Sequence, residues 1–155
     1  MAYQYIDSPL GRLTVAEQDG ALTHLLFGEQ PREDACRNTP LLDRARRELE
    51  EYFQRRRQVF TLPLSPQGTA FQRLVWQGLL TIPYGQTRSY GQLAQSIGHP
   101  RSCRAVGGAN HRNPISILIP CHRVVGSDGS LTGYGGGLEK KIFLLELERP
   151  DKKWQ

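Results

Sequence analysis

The chain has 155 residues, 38% hydrophobic and 23% charged, which is enough apolar material for one domain or two small ones and too much for wholesale disorder. Its net charge of +5 suits a polyanionic partner, although many enzymes share such an excess. Cys36, Cys103 and Cys121, an odd count without a CxxC pair, exclude a disulfide scaffold, no apolar run approaches the about 18 residues of a membrane span, and the N-terminus has no signal-peptide pattern, so a cytoplasmic protein with reduced thiols is expected.

In chain order, residues 3–27 read as strands, with Tyr3, Tyr5, Leu13, Val15, Leu22, Leu25 and Phe27 recurring among polar residues and turn signals at Ser8-Pro9 and Asp19-Gly20. Residues 28–39 read as loop. Residues 41–56 read as an amphipathic helix with Leu42, Ala45, Leu49, Tyr52 and Phe53 on one face; the run Arg55-Arg56-Arg57 closes it, where cations favour the helix dipole, and reads as a solvated helix end rather than a phosphate contact. Ser65-Pro66-Gln67-Gly68 marks a linker, which divides the chain into an N-terminal domain, 1–65, and a C-terminal domain, 66–155.

The second half opens with Thr69, a cap for a helix bearing Phe71, Leu74, Val75, Gly78 and Leu79 that Pro83-Tyr84-Gly85 stops. Ser89 caps a second helix with Leu93, Ala94 and Ile97, ending at Gly98 and Pro100. A third helix, near 101–111, carries Arg101 and Arg104 and then Ala105, Gly107, Gly108 and Ala109. Two helices joined by a short Gly-containing turn suggest a helix-turn-helix; the small residues cost helix propensity and serve either close approach to a groove or tight internal packing. Residues 115–119, Ile-Ser-Ile-Leu-Ile, read as a buried strand leading to Pro120 and Cys121. Asp128-Gly129 signals a tight turn between Val124-Val125 and Leu131, Gly133 to Gly137 a flexible lid, and 138–148 a last helix with Leu138, Ile142, Leu145 and Leu147 apolar.

Cys121, followed by His122 and Arg123 where an apolar run meets a polar, Gly-rich stretch, is the candidate nucleophile, because the thiolate is the reactive form and neighbouring His or cations lower its pKa. Adjacent side chains on an extended strand point apart, so His122 needs a turn or a bridging water to act on the thiol. A third group should orient the histidine; spacing alone does not choose among Glu148, Glu146 and Glu139. His24, His99, His111 and His122 make no zinc spacing with the three cysteines. His24 reads as structural and Cys36 as an incidental exposed thiol. Gly133 to Gly137 lacks the Lys-Ser/Thr that completes a phosphate loop.

These segments converge on one family. From Phe71-Gln72-Arg73-Leu74-Val75-Trp76 to Glu148 the chain resembles the O6-alkylguanine-DNA alkyltransferases (methylated-DNA–protein-cysteine methyltransferases), of the short bacterial constitutive type. The matching pieces, in family order, are Ile82-Pro83-Tyr84-Gly85, Ser89-Tyr90-Gly91-Gln92-Leu93-Ala94, Arg104-Ala105-Val106-Gly107-Gly108-Ala109-Asn110, the run from Asn113 to Val125 around Pro120-Cys121-His122-Arg123, and Thr132-Gly133-Tyr134-Gly135-Gly136-Gly137. The first 65 residues match more loosely, Ser8-Pro9-Leu10-Gly11 being their most recognisable piece.

The resemblance implies an α+β fold: a small N-terminal domain similar to ribonuclease H, followed by a C-terminal domain similar to a winged helix-turn-helix. It implies a partner, double-stranded DNA with alkylated guanine, whose damaged base (O4-alkylthymine also expected) is turned out of the duplex because its substituent is otherwise buried in the stack. Cys121 would attack the alkyl carbon, once and irreversibly. His122, through a water, would take the thiol proton, with Glu148 orienting it. Asn113 would hold the active-site loops, and Tyr90 would donate toward the guanine ring. The carbonyls of Cys121 and Val124 and the N–H near Gly135 would read the base edge, Tyr134 would line the alkyl pocket, and Ser116, proline in some relatives, would set its width. Arg104 would fill the vacated stack from a helix in the minor groove, about 6 Å wide, with Arg101, His99 and Ser127 also on DNA. No cofactor and no metal are implied, since the N-terminal cysteines and histidines that bind zinc in some relatives are missing; a monomer and no membrane are expected. Alkyltransferase-like lesion binders carry tryptophan where this chain has Cys121. The rivals are a regulator that uses the helix-turn-helix and a non-catalytic lesion binder.

Overall fold

The computed structural model describes residues 1–33 and 35–154, so Asp34 of the expected 28–39 loop and Gln155 lie outside it. The first unit is built on three antiparallel strands, β1 (Ala2–Ser8), β2 (Gly11–Gln18) and β3 (Ala21–Phe27). At the β2–β3 turn Asp19 and Gly20 both take positive φ, 52° and 79°, which a type I′ hairpin demands and an Asp-Gly pair supplies at little cost. Tyr3, Ile6, Leu13, Val15, Leu22 and Leu25 are buried, whereas Tyr5 and Phe27 of the expected apolar set are half-buried.

The stretch expected as loop throughout holds a two-residue strand, β4 (Ala35–Cys36), parallel to Ala2 and Tyr3 at the edge of the sheet. Unpaired backbone groups on an edge attract such pairing whatever the side chains. Helix α1 (Pro40–Phe53) starts at Thr39, whose side chain accepts from the Leu42 N–H, with Pro40 in the first turn. It lays Leu42, Ala45, Leu49 and Tyr52 on β1 and β2. The helix is shorter than the expected 41–56: Arg55 takes φ 59°, so the arginine run lies beyond it, with Arg57 Nε 2.8 Å from Glu51.

Residues 114–118 also belong to this first unit. The Leu25 N–H donates to the Pro114 carbonyl at 2.9 Å and the Ser116 N–H to the Leu25 carbonyl at 3.2 Å. The expected strand over 115–119 is therefore corrected: only Ile115 bridges to β3, and 116–118 form a turn with Ile117 at φ 71°. Pro114 and Pro120 offer no N–H to a ladder, and a short buried apolar run does not reveal its period. A β-branched residue in the left-handed region costs about 1–3 kcal/mol; here Ile115, Ile117, Leu118 and Ile119 are all buried.

The second unit comprises residues 68–113 and those from 119 onward. Helix α2 (Ala70–Leu79) opens with a capping box between Thr69 and Gln72, and α3 (Tyr90–Ser96) with one between Ser89 and Gln92. α2 ends before Pro83-Tyr84-Gly85. Helix α4 (Cys103–His111) starts after Ser102, so Arg101, expected on this helix, precedes it; Ser102 makes no side-chain cap. The turn from α3 to α4 passes through Gly98 at φ 80°. The three helices pack on one another, with Trp76 Nε1 donating to the Ala109 carbonyl at 2.9 Å. Gly78 allows the α2–α3 approach, since a Cβ there would stand 2.7 Å from Ile97 Cγ2.

Strand β5 (Arg88–Ser89) pairs in parallel with β6 (Val124–Val125). The turn expected at Asp128-Gly129 forms, with the Gly126 N–H donating to the Ser130 carbonyl at 2.8 Å, but Leu131 beyond it lies in no strand. Helix α5 (Leu138–Glu148) buries Lys141, Leu144, Leu145, Leu147 and Glu148. Leu138, expected on its apolar face, is 44% exposed. The whole is an α+β chain, its N-terminal sheet followed by a mainly helical C-terminal unit.

Candidate active site

Pro120 leads into a short 3-10 turn, Cys121–Arg123, rather than the strand end the sequence suggested. This turn, and not an extended chain, carries Cys121, His122 and Arg123, all buried. His122 Nε2 lies 2.8 Å from Glu148 Oε2 on α5. Arg123 grips both oxygens of the same carboxylate, Nε to Oε1 and Nη2 to Oε2, each at 2.9 Å, and its Nη1 donates to the Ile82 carbonyl at 2.7 Å. The Gly85 N–H reaches Glu148 Oε1 at 3.3 Å. Among the three glutamates left open by spacing, geometry therefore selects Glu148. Glu146 instead meets the Trp154 N–H at 3.1 Å, and Glu139 is exposed.

The electrostatics follow from burial and these partners. Burial opposes the charged form of Glu148, but His122 and Arg123 outweigh it and hold the carboxyl well below the usual range. Burial pushes the His122 imidazole down, with Glu148 only partly resisting. The neutral ring then donates from Nε2 to the carboxylate, which leaves Nδ1 as the acceptor; Nδ1 is buried with no hydrogen-bond partner among the described residues. The Cys121 thiol is pushed up by burial, while the Asn113 and Tyr134 side chains and the charge of Lys141 pull the other way. In the resting protein the expectation of a depressed thiol is thus reversed by desolvation.

Titration supplies a check. Since His122 is neutral when folded, unfolding frees it to take a proton below its ordinary value of 6.5, so this stability is complete above that pH and is lost as pH falls through it. The loss amounts to at most about 1.4 kcal/mol per pH unit. Urea unfolding midpoints are expected to drop between pH 7.5 and 5.5; a flat or rising midpoint contradicts a neutral buried imidazole. Glu148 adds its own loss only below its ordinary value of 4.5.

Around this centre, Asn113 Nδ2 donates to the Ile119 carbonyl at 2.8 Å, pinning the chain just before Cys121. Tyr134 is buried and Gly135 exposed. The half-buried Tyr90 at the start of α3 lies beside Gly107, where an added Cβ would stand 3.7 Å from its ring, and its hydroxyl is 2.7 Å from Thr132 Oγ1. Val124 is buried. Ser116 lies in the first unit, half-buried, and is not among the groups gathered in the second.

Arg104, Ala105 and Gly108 are exposed on α4, and an added Cβ at Gly108 would meet nothing within 4 Å; those two small residues do not serve internal packing. Arg101 and Ser127 are exposed, as is His99, which stands edge-on to Phe71 with centroids 5.4 Å apart. Cys36 and Cys103 are exposed, in contrast to Cys121. Among the described residues no group of three His, Cys, Asp or Glu could hold a metal ion, and no helix is long and apolar enough to cross a membrane.

Sequence reasoning missed three participants. Arg123 is the second partner of Glu148. Thr132 touches Tyr90. Lys141 is fully buried and donates from Nζ to the carbonyls of Val124 at 2.6 Å and Thr132 at 3.4 Å; burial lowers its pKa to about 8. The signal for Lys141 was helical spacing, since it lies seven residues before Glu148 on the face that Leu144 and Leu145 also bury.

Two family descriptions match. Residues 1–66 match the ribonuclease-like domain, and residues 70–150 the DNA binding domain, of 6-O-methylguanine DNA methyltransferase. Among curated relatives, the methylated-DNA–protein-cysteine methyltransferase of Methanosarcina barkeri is 51% identical over 96% of this chain and 97% of its own length. The constitutive one of Bacillus subtilis is 44% identical over 95% and 94%. Among solved structures, Mycobacterium tuberculosis OGT in complex with DNA superposes with a TM-score of 0.90 at 46% identity, over 99% of this chain and 96% of that one.

Proposed function

The chain belongs to the 6-O-methylguanine DNA methyltransferase family, and from that premise we propose how its residues carry out the transfer. It is a methylated-DNA–protein-cysteine S-methyltransferase; as a DNA-binding repair protein it takes an alkyl group from guanine, and from O4-alkylthymine, onto its own cysteine in a single turnover. Residues 1–65 support the fold, and residues 66–155 bind DNA and accept the alkyl group. It acts as a cytoplasmic monomer without metal or cofactor.

The reading rests on one observation above the others: a buried thiol followed directly by an imidazole whose Nε2 is held 2.8 Å from the Glu148 carboxylate. The target base turns out of the duplex into the pocket. The Cys121 proton passes to His122 Nδ1, through a water. The Cys121 sulfur then bonds the alkyl carbon while the carbon–O6 bond breaks. The electron pair of that bond withdraws into the purine, Tyr90 donates a hydrogen bond to it, and the proton lost from the thiol balances the released guanine. The raised resting pKa of Cys121 fits a thiol that ionises only once base and donors are in place. Such general-base help is worth about 10²–10⁴-fold.

Asn113 holds the turn, the carbonyls of Cys121 and Val124 and the N–H near Gly135 read the base edge, and Tyr134 lines the alkyl pocket. The Val124 carbonyl already accepts from Lys141 but keeps a second lone pair. Arg104, exposed on α4 beside the small residues Ala105 and Gly108, fills the place of the flipped base. Arg101 meets a DNA phosphate, and His99 and Ser127 also contact DNA.

The test is intact mass and peptide mapping after mixing with O6-methylguanine duplex. One added methyl is expected, on Cys121 and on neither Cys36 nor Cys103. Protein that binds the damaged duplex with no mass gain would instead be a lesion binder.

A further inference from the structure

We propose that Thr132 is a positioning residue for the leaving base: its hydroxyl donates to the Tyr90 oxygen, so that the Tyr90 proton faces the purine and charge growing on the phenol is shared. The inference rests on the alkyl-transfer reading above.

The geometry points to it in three steps. Tyr90 Oη and Thr132 Oγ1 lie 2.7 Å apart, and either can be the donor in the resting protein. A phenol has one proton. If Tyr90 gives that proton's hydrogen bond to the base, it can only accept from Thr132, and the direction of the pair is fixed. Hydrogen bonds arranged head to tail strengthen each other away from bulk water, and both residues are half-buried.

Thr132 is itself held in place. Its carbonyl accepts from Lys141 Nζ at 3.4 Å, and the same ammonium bonds the Val124 carbonyl at 2.6 Å. Lys141 is fully buried and has no carboxylate within ion-pair distance among the described residues. The backbone of Thr132 is thus tied to β6 while its side chain meets the start of α3, two anchors that preorganise the hydroxyl.

The rival explanation is that the contact merely holds the 131–137 segment over Tyr90. The two differ in how the loss depends on the leaving group. Single-turnover transfer to Cys121 is measured at saturating O6-methylguanine duplex, and with free O6-benzylguanines carrying electron-withdrawing groups on the purine. Thr132→Val keeps the branched shape and deletes the donor, and is expected to slow transfer about 10-fold with unchanged DNA affinity. Thr132→Ser should stay within about 2-fold of the native rate. The Thr132→Val loss should shrink as the purine becomes more acidic, and should vanish in a Tyr90→Phe background, where no phenol remains to be assisted. A loss that is the same for every purine, or that adds in full to Tyr90→Phe, overturns the proposal, as does a native rate in Thr132→Val. Native protein that transfers nothing to Cys121 would defeat the alkyl-transfer reading instead, so the two failures are distinct.

Discussion

Cys121→Ser is expected to bind methylated duplex as tightly as the native chain and to acquire no methyl group, a loss at least on the order of 10⁴-fold. The reason lies in the site rather than in the residue type alone. Cys121 is buried, and burial raises even a thiol, with Asn113, Tyr134 and Lys141 resisting. A hydroxyl, far less acidic than a thiol, cannot be ionised there by a neutral imidazole. The shape barely changes, so folding and DNA affinity should be kept. Transfer by Cys121→Ser within 100-fold of native, or methyl appearing on the exposed Cys103, would remove Cys121 from its role.

Glu148→Ala should be the most damaging substitution for stability. It strips the carboxylate from His122, from Nε and Nη2 of Arg123 and from the Gly85 N–H. A guanidinium only 7% exposed would then remain, held by the Ile82 carbonyl at 2.7 Å and lying over the Tyr84 ring at 5.9 Å. Breaking a buried pair in this way costs about 3–5 kcal/mol, a large share of the roughly 5–15 kcal/mol that holds a typical domain together. The control is Glu146→Ala two residues earlier, whose partners are the Trp154 N–H and Lys153, itself 77% exposed along its side chain; it should cost no more than about 1 kcal/mol. Urea unfolding gives the stabilities, and transfer rates at low temperature, scaled to the folded fraction, separate catalysis from folding. A further loss of about 10²-fold in rate is expected for Glu148→Ala, because His122 loses the group that keeps Nε2 protonated and Nδ1 free. Equal effects of the two variants on midpoint and rate would deny Glu148 any special place.

Much of this chain could be read without coordinates wherever local chemistry decides. Asp19-Gly20 makes its hairpin because two consecutive positive φ angles suit those residues. Thr69 with Gln72 and Ser89 with Gln92 start their helices because each pair satisfies backbone donors within one turn. The run around Pro120-Cys121-His122-Arg123 is specific enough to point to a family before any geometry is known. Element ends were less legible. α1 stops short of the arginine run, where Arg55 turns left-handed, and α4 begins after Arg101 rather than before it. Propensity differs little between neighbouring residues at such ends, so tertiary packing sets them.

What only the tertiary structure decided is everything that depends on distant segments meeting. The apolar run 115–119 could have been a strand. Its one bridge to Leu25, two flanking prolines and the left-handed Ile117 make it a turn instead. The same applies to the carboxylate: Glu139, Glu146 and Glu148 are equivalent in sequence spacing, and only the packing of α5 against the Cys121–Arg123 turn brings Glu148 to His122. In the sequence Arg123 reads only as a cation beside Cys121, and Lys141 has no assigned role. Both are buried, because a guanidinium with a bidentate carboxylate, and an ammonium with two carbonyls, can keep their hydrogen bonds away from water. A sequence records which groups can make such bonds. Which partners arrive within about 3 Å is determined by the fold.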